Sequence, residues 1–404
     1  MFVISLMALL PTVIVPQPST PVLDAWIAEA LASSPKLEEL RARLDTADSR
    51  REPASLPPDP MIEAMLQDID FPRNTVGREE MSMIGVELRQ ELPGSRRLHA
   101  RKAVAAAEHA TAEAALRVAV SDLKLQIRID YAALYALDSE DVTLAASSEL
   151  LEMIAATAAA RFGSALGRQD EALRVQIEQQ RLLERRADWK AERAAVSARL
   201  NALLGRSPDE PIDRVEQLPE VSWPTEVDGL RAPALREAQE MSSAAERRTE
   251  VARAEARPNW SAGIGLFNRG GLDSVVTLRV GLSLPLWHDR KQAREIEAAQ
   301  HDRAAAAASA RAVQRETALA LATLRARFDA ARTNAQRYRE GLLPLSSAAL
   351  DEARVAYLSG QGEFTAVLNS WRNWWDARFG LSQRMADQFV AWATCLALDG
   401  EDLQ

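Results

Sequence analysis

Residues 274–360 limit the fold more than any other part of the chain, because a segment of period two runs straight into a very long helical one. In 274–285, Val276, Leu278, Val280, Leu282 and Leu284 fall on one face, and Thr277, Arg279, Gly281 and Ser283 on the other. That alternation is a strand with one apolar and one polar side. From Asp289 to Leu358 the only glycine is Gly341 and the only proline Pro344. Apolar or small positions recur at Thr317, Leu321, Leu324, Phe328, Ala331, Ala335, Tyr338, Leu342, Leu345 and Ala349. Steps of four and three make a heptad seam. About 70 residues at about 1.5 Å each predict a helix of about 100 Å. No ordinary globular core calls for one so long.

The rest of the chain repeats these ingredients. A helix is expected over 21–52, with Asp24 as N-cap, a bend at Pro35, and a stop at Pro53, Pro57, Pro58 and Pro60. A strand over 61–71 follows, its alternation blurred by Glu63, Gln67 and Asp68, then a loop over 72–80. The strand over 83–92 alternates more clearly: Ile84, Val86 and Leu88 oppose Glu87, Arg89 and Glu91, and Pro93-Gly94 closes it. A long helix then spans 95–162, its face marked by Leu116, Val120, Leu123, Ile127, Tyr131 and Leu134. After a turn at 163–167, a helix over 169–204 carries the small-residue stripe Ala187, Ala191, Ala194 and Ala198, and Gly205 ends it. A connector, 206–229, holds Pro208, Pro211, Pro219 and Pro224. The order then restarts: helix 234–256, strand 259–267, turn 268–273, strand 274–284, the long helix, turn 359–362, and a helix over 364–398 stopped by Gly400.

Subtraction supports an internal duplication. Phe162 and Tyr357, Ser164 and Ser359, Gly167 and Gly362, Leu173 and Leu368, Ala202 and Ala397, and Gly205 and Gly400 all stand 195 apart. Pro93 and Pro285, like His109 and His301, stand 192 apart, which puts a three-residue insertion in the second long helix, near Pro344. The expected units are therefore 21–205, the connector 206–229, and 230–400. In each unit the two shorter helices together match the length of the long one, so they are expected to stack end to end against it.

Four strands cannot close a barrel, since the smallest membrane barrels have about eight. Open edges in lipid leave unsatisfied backbone groups at several kcal/mol each. If these strands enter a membrane, several chains must share one barrel. The start of the chain agrees with export: 1–10 is apolar, 11–16 continues it, and 1–20 reads as a secretory signal, with cleavage expected before Pro21, although no Lys or Arg stands near Met1. With no cysteine there, no lipid anchor is expected at that site. Elsewhere no apolar run of about 18 residues stands out, so membrane residence is expected as strands. The net charge of −9 argues against a nucleic-acid binder, and Cys395 reads as a small buried residue of the last helix.

The chain resembles the TolC family of outer-membrane channels, the exit ducts of tripartite efflux pumps and type I secretion. The resemblance covers about residues 21–400 and rests on the two repeats and several motifs in order. These are Pro57-Pro58-Asp59-Pro60 and Arg257-Pro258 before strands, and Leu92-Pro93-Gly94 and Leu284-Pro285-Leu286-Trp287 after them. The tips Arg161-Phe162 to Leu173 and Tyr357-Leu358-Ser359-Gly360 to Leu368, and Asn201-Ala202-Leu203-Leu204-Gly205, complete the set. The resemblance implies a mainly helical fold with a small β part: a homotrimer with a twelve-stranded transmembrane barrel and a long periplasmic helical barrel closed at its tip. Its implied partners are a periplasmic adaptor, an inner-membrane pump of the RND or another type, and outer-membrane lipid. The Leu92–Arg97 segment and the second tip most resemble the heavy-metal and cation efflux branch.

Site expectations follow from the same resemblance. Family channels place acids nine and twelve residues after the tip aromatic; here those positions hold Ala366 and Asn369 in the second repeat, and Glu171 and Arg174 in the first. Glu363, Asn369 and Glu171 are therefore the expected aperture residues. Gly163, Gly167, Gly360 and Gly362 are the expected adaptor-docking tips, where glycine allows tight turns. His99, His109, His288 and His301 lack a second His or Cys at helical metal-site spacing and read as surface residues. Trp371, Trp374, Trp375 and Trp392 read as packing on the last helix. Trp260 and Trp287, at strand ends, fit either packing or an interfacial belt. No catalytic motif, cofactor site or metal site stands out. A type I secretion duct, a periplasmic adaptor and a coiled-coil scaffold are the rival readings; the adaptor would need many more short strands, and the scaffold leaves the alternation of 274–284 unexplained.

Overall fold

The computed structural model describes residues 20–70, 75–164, 168–225 and 227–400. The expected signal segment and Gly167 lie outside or largely outside these residues. The chain runs α1 (Pro21–Ser33), α2 (Pro35–Ser49), β1 (Met61–Gln67), β2 (Met83–Leu92), α3 (Ser95–Gly163) and α4 (Gln169–Leu204). It continues with α5 (Pro233–Glu255), β3 (Asn259–Arg269), β4 (Leu272–Ser283), α6 (Gln292–Arg337), α7 (Leu343–Leu358) and α8 (Phe364–Asp399). It is mainly helical with one small sheet. Among the described residues two compact units form: one from the segments within 20–34, 122–227 and 321–396, the other from those within 35–121, 228–320 and 397–400.

Local chemistry corrects several boundaries. The first helix is two helices, because Ser34 is extended (φ −69°, ψ 115°) ahead of Pro35, as the proline ring demands of its predecessor. Its N-cap is Thr20, whose hydroxyl accepts from the Leu23 N–H at 3.3 Å, while Asp24 sits in the first turn. Strand β1 stops at Gln67, four residues before its expected end, where Asp68 turns to φ 50°. The Asp68 carbonyl accepts from the buried Ser82 hydroxyl at 2.6 Å. The β3–β4 turn is shorter than expected, two residues (Gly270-Gly271), with Gly270 at φ 69°.

In the first unit, α3 is a central helix whose buried residues include Ile127, Tyr131, Leu134 and Leu144. Helix α4 does not present its alanine stripe to it. Ala187, Ala191 and Ala194 are exposed, and the packed face is Leu182, Arg185, Trp189, Arg193, Val196 and Leu200. The cause is electrostatic: α3 buries Asp130, Asp138 and Glu140, and α4 answers with Arg199, Arg193 and Arg185. The Arg193–Asp138 bond is 2.7 Å and the Arg185–Glu140 pair 2.5 and 2.8 Å.

The seam of the second long helix holds as far as Tyr338 and then moves. Thr317, Leu321, Phe328, Ala331 and Ala335 are buried on schedule, whereas Leu342 and Leu345 are exposed and Leu350 and Tyr357 are buried instead. The reason is a π-helical turn at Tyr338–Leu342, where the Leu343 N–H donates to the Tyr338 carbonyl five residues back. Pro344 follows, with no N–H to continue an α-helical ladder. Every later inward position is displaced by one residue.

Each glycine that ends a shorter helix seats against another helix terminus. A Cβ on Gly205 would lie 3.0 Å from the Ser33 Cβ, and the Ser33 hydroxyl donates to the Leu204 carbonyl at 2.8 Å. In the second unit, Gly400 backs onto the Arg231 carbonyl, and the Gly229 N–H donates to Asp399 at 3.1 Å. The connector is a strap rather than a free linker. Ile212 and Val215 are buried in the core with Leu23, Trp26 and Leu204, and the Asp138 carboxylate holds the Val215 N–H at 2.9 Å.

Candidate functional site

Two places carry the chemistry that the sequence singles out, the sheet of the second unit and the helix turns of the first. The sheet is antiparallel in the order β1-β2-β3-β4, with β1 and β4 as open edges. Its register aligns one apolar row, Ile62–Leu88–Ile264–Leu278, beside a second, Ala64–Val86–Leu266–Val276. The large side chains of both rows are exposed, Leu278 at 77%. At the helix end of the sheet, Leu92, Trp260 and Leu282 form a third exposed row. Trp287 beyond it is also exposed, so neither of these tryptophans packs into the chain.

The other face is polar and less exposed, with Glu87 buried in it. Glu87, 1% exposed, lies 3.1 Å from Arg279 and 3.8 Å from Arg89, and Arg89 is 3.5 Å from Glu63. Arg279 is thus the partner of a buried carboxylate rather than a free charge. The Phe267 ring lies over Gly85 and Gly265, where a Cβ would come within 2.3 and 2.5 Å of it. Glycine on this face makes room for the one large aromatic that fills it.

At the tips, Arg161 near the end of α3 donates to the Tyr357 carbonyl of α7 at 3.3 Å and lies 5.0 Å from the Tyr357 ring. The two helix ends are brought together by this residue. Tyr357 is buried, stands edge-on to Phe364 at 5.9 Å, and donates its hydroxyl to Glu171 at 3.2 Å. Burial and the Glu171 carboxylate push the Tyr357 phenol up to about 12, with Arg161 opposing. Gly360 adopts φ 80°, and a Cβ on Gly362 would lie 2.8 Å from the Tyr357 nitrogen. Gly163 has open space around it. Glu363 and Asn369 are exposed at the start of α8, whereas Glu171 is tied to Tyr357.

Other side chains had no sequence signal beyond their charge. Glu178 of α4, mostly buried, binds Arg372 of α8 and Arg181 at 3.0 Å. Beside them Trp371 and Trp375 meet edge-on at 6.2 Å, and the Trp371 indole donates to Ser147 at 3.0 Å. Trp371 and Trp392 are buried packing residues. His109 faces Asp48 at 3.7 Å, and His99 contacts the Ser95 carbonyl at 2.6 Å. Among the described residues no three His, Cys, Asp or Glu side chains converge as metal ligands. One helix, α3, does contain a window apolar enough by length and composition to cross a membrane (mean hydropathy 1.3), contrary to the sequence expectation. A third of that window is buried inside the chain.

No family model matches the chain, and no curated protein matches it. Solved structures do. The outer-membrane channel OprN is 18% identical, with 94% of this chain and 90% of that one covered at a TM-score of 0.78. The outer-membrane protein VceC of Vibrio cholerae is 18% identical over 93% and 96%, at 0.79. CusC, which forms a transmembrane channel, is 16% identical over 96% and 97%, at 0.73. The chain has the fold of these outer-membrane channels, as the motif order in its sequence led us to expect.

Proposed function

We propose that the chain is one subunit of an outer-membrane channel, a passive exit duct of a tripartite efflux system for metal cations or drugs. The observation that carries this reading is the sheet: three exposed apolar rows on one face, a charged opposite face, and two unpaired edges. In water such a face and such edges are liabilities. In lipid they are satisfied only when further copies complete a closed barrel with the apolar rows outward. Three copies give twelve strands, with the exposed Trp260 and Trp287 at the interface level. The likeness to OprN, VceC and CusC supports the same reading, and it favours no cargo branch, since CusC scores below the other two.

The reading takes 1–20 as an export signal, 21–205 and 230–400 as the two repeats, and the helices as periplasmic. The helix turns at Gly163–Gly167 and Gly360–Gly362 then meet a periplasmic adaptor and its inner-membrane pump, with Glu363, Asn369 and the Tyr357-bound Glu171 near the aperture. The test is the mass of the detergent-extracted protein together with conductance in a planar bilayer. Three chains and discrete conductance steps are expected. A stable monomer, or recovery without detergent, refutes the reading.

A further inference from the structure

The chain is acidic overall, yet where its helices meet the sheet the balance is reversed. Segments 50–60, 93–102, 247–258 and 285–294 adjoin the helix-side ends of the four strands. They hold thirteen Arg and Lys against five Asp and Glu, in a chain of net charge −9. In the second unit, 93–102 is tied to 247–258, and 247–258 to α6. Arg97 donates to the Glu255 and Arg257 carbonyls at 3.3 and 3.0 Å, Arg101 pairs with Glu255 at 3.0 Å, and the Thr249 hydroxyl donates to the Ala299 carbonyl at 3.0 Å. Several of the cations are left over. Among the described residues, Arg96, Lys102, Arg253, Arg257, Arg290 and Lys291 have no carboxylate at ion-pair distance, and all six are exposed.

Three of them line one groove between α3 and α5. It has a volume of about 480 Å³, with Arg96, Arg253 and Arg257 at its rim, one carboxylate (Glu250), and walls of Ala100, Ala103 and Ala254. Cations over alanine suit a ligand with an anionic head and an apolar body. The neighbouring surface gives that body a place: Leu284, Leu286 and Trp287, all exposed, follow β4 directly, and Trp260 opens β3. A free anion would have no use for these side chains.

We propose that this groove binds the phosphodiester of an anionic glycerophospholipid, whose acyl chains lie along the apolar sheet face. The inference rests on the membrane reading above and adds the class of lipid. Arginine suits the phosphate because its planar fork offers paired donors. Basic residues at a membrane surface are drawn to anionic lipid, and the attraction falls off within a Debye length.

The full chain is placed in vesicles of equal parts phosphatidylcholine and phosphatidylglycerol, re-extracted, and its bound lipid measured. At least about a fivefold enrichment of phosphatidylglycerol over the bulk is expected. The Arg96→Gln, Arg253→Gln, Arg257→Gln variant should fall to the bulk ratio while floating with vesicles as the wild type does. Arg311→Gln, Arg315→Gln, Arg332→Gln, which removes the same charge elsewhere, should keep the enrichment. Bulk ratio in the wild type, enrichment retained in the first variant, or loss in the second overturns the inference. Displacement of phosphatidylglycerol by millimolar inorganic phosphate assigns the groove to free phosphate and also overturns it. A chain that floats with no vesicle refutes membrane insertion itself, a separate failure.

Discussion

Leu278→Arg tests the orientation of the sheet at its most informative point. Leu278 is the seventh of twelve residues in β4, and at about 3.3 Å per residue it lies near the middle of a strand about 40 Å long. It ends the apolar row that begins at Ile62. Were the sheet in water, a side chain already 77% exposed could be changed within about 0.5 kcal/mol. Near the centre of a bilayer the same arginine costs about 2–4 kcal/mol per chain, about 30-fold to several-hundred-fold in the folding equilibrium. Thr277→Arg is the control one residue away. It points to the opposite face, in register with Gly265, Glu87 and Glu63, where a cation meets acids. Urea unfolding in lipid vesicles, followed by strand circular dichroism or by loss of the assembled species, reads both. Leu278→Arg should shift the midpoint strongly and Thr277→Arg little. Equal shifts, or a silent Leu278→Arg, refute the assignment of faces. Arg279→Ser does not serve as a control, because it strips the nearest cation from buried Glu87.

Gly362→Val should destabilise the tip by about 1–3 kcal/mol, because its Cβ meets backbone atoms of Ala356 and Tyr357 and the Ala356 Cβ, none of which can swing aside. Gly163→Val, into open space, should change stability by no more than about 0.5 kcal/mol; hydrogen exchange at α7 and α8 separates the two, and equal protection loss refutes the argument. Asp138→Ala should cost about 3–5 kcal/mol, since it leaves Arg193 without its buried partner and frees the Val215 N–H; faster proteolysis within 206–229 is the expected sign, and an unchanged cleavage rate contradicts the strap. The Tyr357 phenol titrates higher folded than unfolded, so its contribution is complete below pH 10 and is lost as pH rises through about 12. Tyr357→Phe should remove that part of the alkaline loss and cost about 1 kcal/mol at neutral pH through the missing bond to Glu171; identical alkaline profiles for the two proteins refute it.

The strands and helices were legible because their periods are unambiguous. Ile84, Val86 and Leu88 alternate with charges, and Gln169–Leu204 runs without glycine or proline to a glycine stop. Boundaries failed where a single backbone torsion decides them, as at Asp68 and Ser34. Composition singled out an alanine stripe on α4 but not the face that packs. Its arginines are in fact drawn inward by carboxylates on another helix, a long-range pairing that no local pattern records. The same holds at the tip. Tyr357 and Glu171 lie far apart in sequence, and only folding shows that the acid is bound by a phenol rather than free. Glu87 reads as a routine polar-face residue, and its burial depends on Arg279 from a strand almost two hundred residues away.

The π turn at Tyr338–Leu342 makes one helix behave as two in angular terms. An extra residue advances everything beyond it by about 100°, so the stretch up to Ala335 and the stretch from Leu350 answer to different neighbours without any break in the backbone. The first stretch keeps Phe328 in the cluster of Trp392 and Phe389, and the second keeps Tyr357 with Phe364 and Val367. Were this turn to close as an ordinary α-helical one with its residue count unchanged, Leu342 and Leu345 would turn inward and Tyr357 would swing away from Glu171. Removing one residue there, such as Gly341, would instead let an unbroken α-helix keep Leu350 and Tyr357 inward. The tip is thus set by a count of residues some fifteen positions up the chain, a dependence that side-chain substitutions at the tip itself would never reveal.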